Sequence, residues 1–217
     1  GGAFSKSSHE FQTLTESGED IVYLVPGTNI AINKEIIDDQ EALKGIIPNY
    51  KAGDESKLET AKAIEVGNIF KLGTRFSESC EFFYTDKDGS RKHPIMGCYG
   101  IGPSRLMGTI AECLSDAAGL IWPHEVTPFH IGLINLRAND DACRTACDKL
   151  YTEWQAQGLT TLYDDRDAGA GEKFTEMDLI GIPWQCVIGP KGLAAGKLEW
   201  KNRATGEKHE LPLGALP

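Results

Sequence analysis

Residues 96–105, "MGCYGIGPSR", put three glycines, one thiol and one guanidinium within ten positions. Glycines let a planar ligand or a phosphate approach the main chain where a Cβ would stand in the way. Pro103 opens an apolar run of helical spacing, so Arg105 falls in the first turn of a helix. A positive fork there adds to N–H groups that already point outward. A strand that ends in glycines beside a helix start suits a nucleotide, and it also suits a plain bulge or tight helix–strand packing. The stretch lacks the third glycine and following acid of a dinucleotide site, and the Gly-Lys-Ser/Thr ending of a phosphate-binding loop.

Other residues could also do chemistry. "YDDR" leaves Arg166 at the C-terminal end of a predicted strand, where α/β sheets bind ligands. Lys201 and Arg203 alternate on one face of "KLEWKNR". The three are candidate RNA contacts, with solvated surface charge as the alternative. Trp184 and Trp200 read as core in preference to platforms for bases. Asn68 and Phe70, two apart on a predicted strand, share a face, whereas the neighbours His9 and Glu10 point to opposite faces. The cysteines at 80, 98, 113, 143, 147 and 186 form no C-x-x-C pair, and the histidines complete no zinc pattern. Reduced thiols of a cytosolic protein are expected. Cys113 and Cys147 fall on predicted helices and are expected to react more slowly than Cys98.

The elements that must position these residues divide the chain in two. "HEFQTLT" and "DIVYLV" alternate as half-buried strands do, with "ESGED" as the turn between them. Residues 26–63, with Pro26, Gly27, Pro48 and Gly53, read as a loop-rich connection with one or two short helices. Strands resume at Ile64 with "IEVGNIFKLG", and "DKDGSRK" marks a hairpin turn. Leu106, Ile110, Leu114 and Ala118 then recur every four residues, which predicts a helix over "PSRLMGTIAECLSDA". Beyond a proline-marked link at 122–128, residues 129–213 read β-α-β-α-β-β. That is a small α/β domain with a mostly parallel, mixed five-stranded sheet. The predicted domains are 1–124 and 125–217.

Bulk properties bound what this arrangement can do. The chain has 217 residues, 41% hydrophobic and 25% charged, the balance of a soluble globular protein with a real core. Its longest apolar runs, such as 129–136, are too short to cross a bilayer, and its start does not read as a basic, apolar-cored leader. A net charge of −10 argues against a general nucleic-acid binder held by bulk electrostatics. Residues 190–210 nevertheless carry five basic and three acidic side chains, a local strip within an acidic whole.

The ordered set of segments resembles a known family. "MGCYGIGPSRLMGTIAE" is similar to motif 3 of class II aminoacyl-tRNA synthetases, in the form used by bacterial-type prolyl-tRNA synthetases. "SHEFQTLTESGED" resembles the segment after motif 2. "IEVGNIFKLGTRFSE" resembles the strand leading toward motif 3. "GLIWPHEVTPFHIGLINL" resembles the junction into the anticodon-binding domain. "DDRDAGAGEKFTEMDLIGIPWQCVIGPKG" with "LEWKNRATGE" resembles the heart of that domain. The resemblance covers nearly the whole chain in order.

It implies part of a class II antiparallel catalytic sheet, followed by an anticodon-binding domain. It also implies ATP-dependent attachment of proline to its tRNA through prolyl-adenylate, with Mg²⁺ on the phosphates, in a cytoplasmic, membrane-free homodimer. Arg105 then lies against ATP, and Gly100 and Gly102 let the adenosine pack on the sheet. Gly97 and Cys98 line the proline pocket, joined by Asn68, Phe70 and one of His9 and Glu10. Arg166, Lys201 and Arg203 touch the anticodon arm, and the Mg²⁺-binding acid is not identified. Motifs 1 and 2 do not occur in these residues, so the chain is expected to be the later part of a synthetase or half of a split one. Residues 26–63 are too short for the editing domain many bacterial relatives carry there. The rival readings are a non-catalytic tRNA-binding accessory subunit, a relative charging threonine or histidine, and a free-standing deacylase.

Overall fold

The computed structural model describes residues 8–47 and 49–217; Pro48, expected in a loop, lies outside them, as do residues 1–7. The chain divides into two compact units, 1–112 and 113–217. Among the described residues, no helix is long and apolar enough to cross a membrane.

In chain order the first unit runs β1 (Ser8–Leu14), β2 (Asp20–Leu24), β3 (Ala31–Asn33), α1 (Gln40–Ile46) and β4 (Glu59–Gly73). It continues with α2 (Arg75–Ser79), β5 (Tyr84–Thr85), β6 (Arg91–Lys92), β7 (Met96–Ile101) and α3 (Pro103–Cys113). The sheet is antiparallel, and the 15-residue β4 is its spine. β1 runs along one edge of β4, and β2 and β7 follow each other along the other. β4 starts at Glu59, five residues before the predicted Ile64, because Glu59–Ala63 find partners on β2 and pairing overrides the polar composition.

Residues 25–47 and 49–58 are more ordered than a loop-rich connection. Val25, Ile32 and Leu43 are buried together under Ile36, Ile37, Tyr50 and Leu58, a small core of their own. Asp39 caps α1 by accepting from the Ala42 amide, and Asn33 caps the single 3-10 turn before it by accepting from the Glu35 amide.

α3 stops at Cys113, short of the predicted end at Ala117. The Leu114 carbonyl accepts from the Ile121 amide, and β8 (Ser115–Asp116) pairs with β9 (Gly119–Leu120). Helical spacing here coincides with a ribbon that tertiary contacts favour.

The second unit continues with β10 (Ile131–Asn135), α4 (Asp141–Ala156), β11 (Thr161–Asp164), α5 (Ala170–Ile180) and β12 (Trp184–Ile188). It ends with α6 (Pro190–Ala194), β13 (Lys197–Asn202) and β14 (Lys208–Pro212). The sheet order is β11-β10-β12-β13-β14, parallel over the first three strands and antiparallel over the last two, the mixed sheet expected. β10 is buried throughout, as its unbroken apolar run implies. Trp154 and Trp200 pack with ring centroids 5.4 Å apart, beside Cys143, Cys147 and Cys186. Trp200 is thus core, while Trp184 is half-buried.

The predicted division at 124/125 differs from the compact units, because the β8–β9 ribbon packs within the second unit. Asp116 accepts two hydrogen bonds from Arg203, and the Trp122 indole donates to the Ile180 carbonyl. A Cβ on Gly119 would lie 2.3 Å from Leu179 Cα, and one on Gly181 2.3 Å from the Leu120 carbonyl oxygen. Only glycine permits so close an approach.

Candidate active site and RNA surface

Pairing register decides which side chains meet on the first sheet. Cys98 opposes Phe70, which opposes Ser8; Gly100 opposes Asn68, which opposes Glu10. Directly opposed residues share a face. Cys98, Gly100, Asn68, Phe70 and Glu10 therefore lie on one face, and Glu10 is the member of the His9–Glu10 pair that joins them. His9 opposes Ile69 on the other face. Gly97 lies there too, under the Tyr99 ring: a Cβ on it would sit 3.1 Å from the Tyr99 hydroxyl. Gly97 can thus contribute only main chain to a pocket beside Cys98. The same reverse face exposes Phe11, Tyr99 and Ile101.

A bulge recruits a residue that alternation misses. The partner of Phe11 is Gly67, and that of Gln12 is Glu65, so Val66 is the extra residue. The slip turns Glu65 onto the face of Asn68, whose Nδ2 donates to Glu65 Oε1 at 2.8 Å. Arg105 reaches the same place: its Nη1 donates to the Glu65 carbonyl at 3.1 Å and lies 3.7 Å from Glu65 Oε2. The Arg105 side chain stays 58% exposed, free to take an anion. A Cβ on Gly100 would fall 2.6 Å from Asn68 Oδ1, so that glycine makes room for Asn68 as well as for any ligand. Gly102 is exposed and leaves the main chain open beside Arg105.

Glu10 is held in a second cluster on this face. Gln12 Nε2 donates to Glu10 Oε2 at 3.1 Å and to Asp20 Oδ2 at 2.8 Å, and Asn33 Nδ2 donates to Glu10 Oε2 at 3.2 Å. Gln12 Oε1 is buried without a partner. The sequence reading missed Gln12, Asp20, Asn33 and Glu65. Gln12 was within reach, since it shares the parity of Glu10. Among the described residues, no three His, Cys, Asp or Glu side chains are grouped to hold a metal. A Mg²⁺ here fits only as the ion often binds, through substrate phosphates and one or two carboxylates.

The three basic residues of the second unit separate. Arg203 is a structural residue, correcting its place on an exposed strip. Its side chain is 4% exposed and bonds Asp116 at 2.9 and 2.6 Å and the Asp178 carbonyl at 3.1 Å. The hydrogen bonds from Arg203 hold the Asp116 carboxyl far below the usual carboxylate range. Lys201 is taken up by both Asp178 oxygens at 2.7 Å and is no free charge either. Acidic partners from α5 and the ribbon, distant in sequence, neutralise what looks basic along the strand.

Arg166 does lie at a strand end, as predicted. It is clamped by Asp164 at 2.8 Å and Glu176 at 2.5 Å and stays half-exposed. Burial works to raise the Asp164 carboxyl, but hydrogen bonds from Arg166 and the charge of Lys173 outweigh it and hold it low. Lys173, 1% exposed, sits 3.5 Å from Asp164 Oδ1 and donates to the Asn135 carbonyl at 2.7 Å, tying the ends of β10 and β11 together. A cleft of about 360 Å³ opens at these strand ends, lined by Arg137, Asn139, Arg166, Asp167 and Pro190 among others. Arg137 is exposed and has no acidic partner among the described residues. No spacing rule flagged it, because a lone Arg after a strand carries no signature.

Known proteins match this architecture. Residues 1–113 match the tRNA synthetase class II core domain (G, H, P, S and T), and residues 130–217 match the anticodon binding domain. The chain belongs to the class II aminoacyl-tRNA synthetases. A proline–tRNA ligase of Rhizorhabdus wittichii is 46% identical over 94% of this chain and 50% of the relative. One of Caulobacter sp. is 42% identical over 96% and 51%. This class II chain thus spans about half the length of the curated relatives it matches. Among solved structures, a Giardia lamblia prolyl-tRNA synthetase in complex with prolyl-adenylate superposes with a TM-score of 0.59. It is 24% identical and covers 70% of this chain and 32% of that one, a likeness of fold.

Proposed function

We propose that this chain carries the motif 3 side of a proline–tRNA ligase active site, together with its anticodon-binding domain. The observation that supports it is the gathering of Arg105, Glu65, Asn68, Gly100, Cys98 and Glu10 on one sheet face. The proline carboxylate oxygen attacks the α-phosphorus of ATP, and the bond to the bridging oxygen breaks to release pyrophosphate. The 3′-terminal hydroxyl of tRNA then attacks the adenylate carbonyl, and AMP departs. Arg105 offsets phosphate charge beside the open main chain of Gly100 and Gly102, and Asn68, Phe70 and Cys98 shape the space for proline. The work is positioning and charge stabilisation. Mg²⁺ neutralises phosphate charge when bound. The cytoplasmic homodimer belongs to the same reading.

The anticodon arm is assigned to Arg166 and the cleft it shares with Arg137, where strand ends and helix starts offer N–H groups and positive charge. In the complete enzyme, Arg105→Ala cuts proline-dependent ATP–pyrophosphate exchange by about 10²-fold, roughly 3 kcal/mol for a desolvated charged contact. Exchange within two- or threefold of wild type would make Arg105 structural and remove the reading.

A further inference from the structure

We propose that Asn33 is a positioning residue for amino-acid binding: it holds the Glu10 carboxylate so that Oε1 faces the secondary ammonium of proline. The inference rests on the reading of this sheet face as the amino-acid pocket. The Asn33 amide has one possible orientation. Its Oδ1 accepts from the Glu35 amide at 3.0 Å, and only an oxygen can do that, so Nδ2 is the atom turned to Glu10. Glu10 Oε2 is engaged by two amide donors, Asn33 and Gln12. Among the described residues, Oε1 has only a long 3.5 Å contact from the Ser8 hydroxyl. Ser8 opposes Phe70, which opposes Cys98, so Oε1 is turned toward that row of the sheet.

A carboxylate with one oxygen fixed and the other unspent suits a cation that brings its own N–H groups. The prolyl nitrogen is such a group: charged at neutral pH, with two N–H bonds. Asn33 belongs to the folded segment between β2 and β4. Ile32 turns into that segment's core and Asn33 turns the other way, so the segment's packing sets where the amide stands.

The test measures KM for proline and for ATP in the exchange reaction of the complete enzyme. Asn33→Asp keeps an oxygen for the Glu35 amide but loses the donor and sets a second negative charge beside Glu10. Asn33→Ala loses both. Each raises KM for proline by about tenfold with KM for ATP within twofold, a split that a merely structural role would not produce. Glu10→Gln probes the underlying reading. If it leaves KM for proline unchanged, the pocket assignment fails and the inference with it. If Glu10→Gln raises KM for proline and both Asn33 variants stay at wild type, the inference alone fails. A rise in both KM values at Asn33 is general loosening and also overturns it.

Discussion

Thiol chemistry separates the cysteines by burial. Cys80, Cys98 and Cys113 are exposed, and Cys143, Cys147 and Cys186 are buried. Burial pushes the Cys147 thiol up to about 12, out of the nucleophilic range. A maleimide should therefore modify three thiols in the native chain and six after denaturation, as counted by mass spectrometry. Cys113 is expected among the three; its helical position suggested slower reaction, but it ends α3 in the open. In the complete enzyme, proline with ATP should protect Cys98 while Cys80 and Cys113 still react. Asp116 offers a pH test. Its folded pKa is depressed, so its stabilisation is present above the unfolded value of about 3.9 and is lost as pH falls through the folded one. Asp116→Asn should lower Tm at pH 7, and the gap from wild type should begin to narrow below about pH 4 and keep narrowing as pH falls further. A gap that persists unchanged would mean that shape, not charge, holds the ribbon. The pairing of Arg203 with Asp116 was illegible in the sequence because 87 residues separate the two.

Elements were legible where one period ran undisturbed. β10, α4 and the hairpin of β13 and β14 stand where hydrophobic patterning puts them. The misses came where pairing outranked pattern: the early start of β4, the end of α3, and the bulge at Val66 that brings Glu65 to the site. Gly67 after a valine was a faint sign of that bulge. The ribbon-to-helix contact gives a graded test. Gly181 combines φ +82° with a Cβ position 2.3 Å from the Leu120 carbonyl oxygen, whereas Gly206, at φ +73°, has nothing within 4 Å. Gly181→Ala should cost about 3 kcal/mol, from overpacking added to backbone strain. Gly206→Ala should cost about 1 kcal/mol, from strain alone. Equal losses in denaturant melts would mean that the ribbon does not press on α5.

At the scale of the molecule, a net charge of −10 leaves the proposed tRNA binding to local groups. In the complete enzyme, Arg137→Ala with Arg166→Ala should weaken tRNA binding and flatten its log–log salt dependence by about one unit, the share of Arg137, since Asp164 and Glu176 already hold the Arg166 charge; adenylate formation stays intact. Lys201→Ala should change the slope little, since Asp178 already holds that charge. Unchanged affinity and slope in the double variant would remove the cleft as the RNA surface.

The segment that carries Asn33 leaves β2 at Leu24, lays β3 beside it as an edge strand, and returns to β4 at Glu59; Leu24 and Glu59 are cross-strand partners. Such partners lie about 5 Å apart, so the sheet meets whatever is spliced between them through one fixed doorway. Lengthening the splice shifts no strand register, and each doubling of a flexible loop costs only about 0.6 kcal/mol of closure entropy. The position is an open port for accretion, where a longer splice can be borne on the same core. The tenancy carries one condition. On the reading proposed for Asn33, a replacement module must bring its own donor back to Glu10.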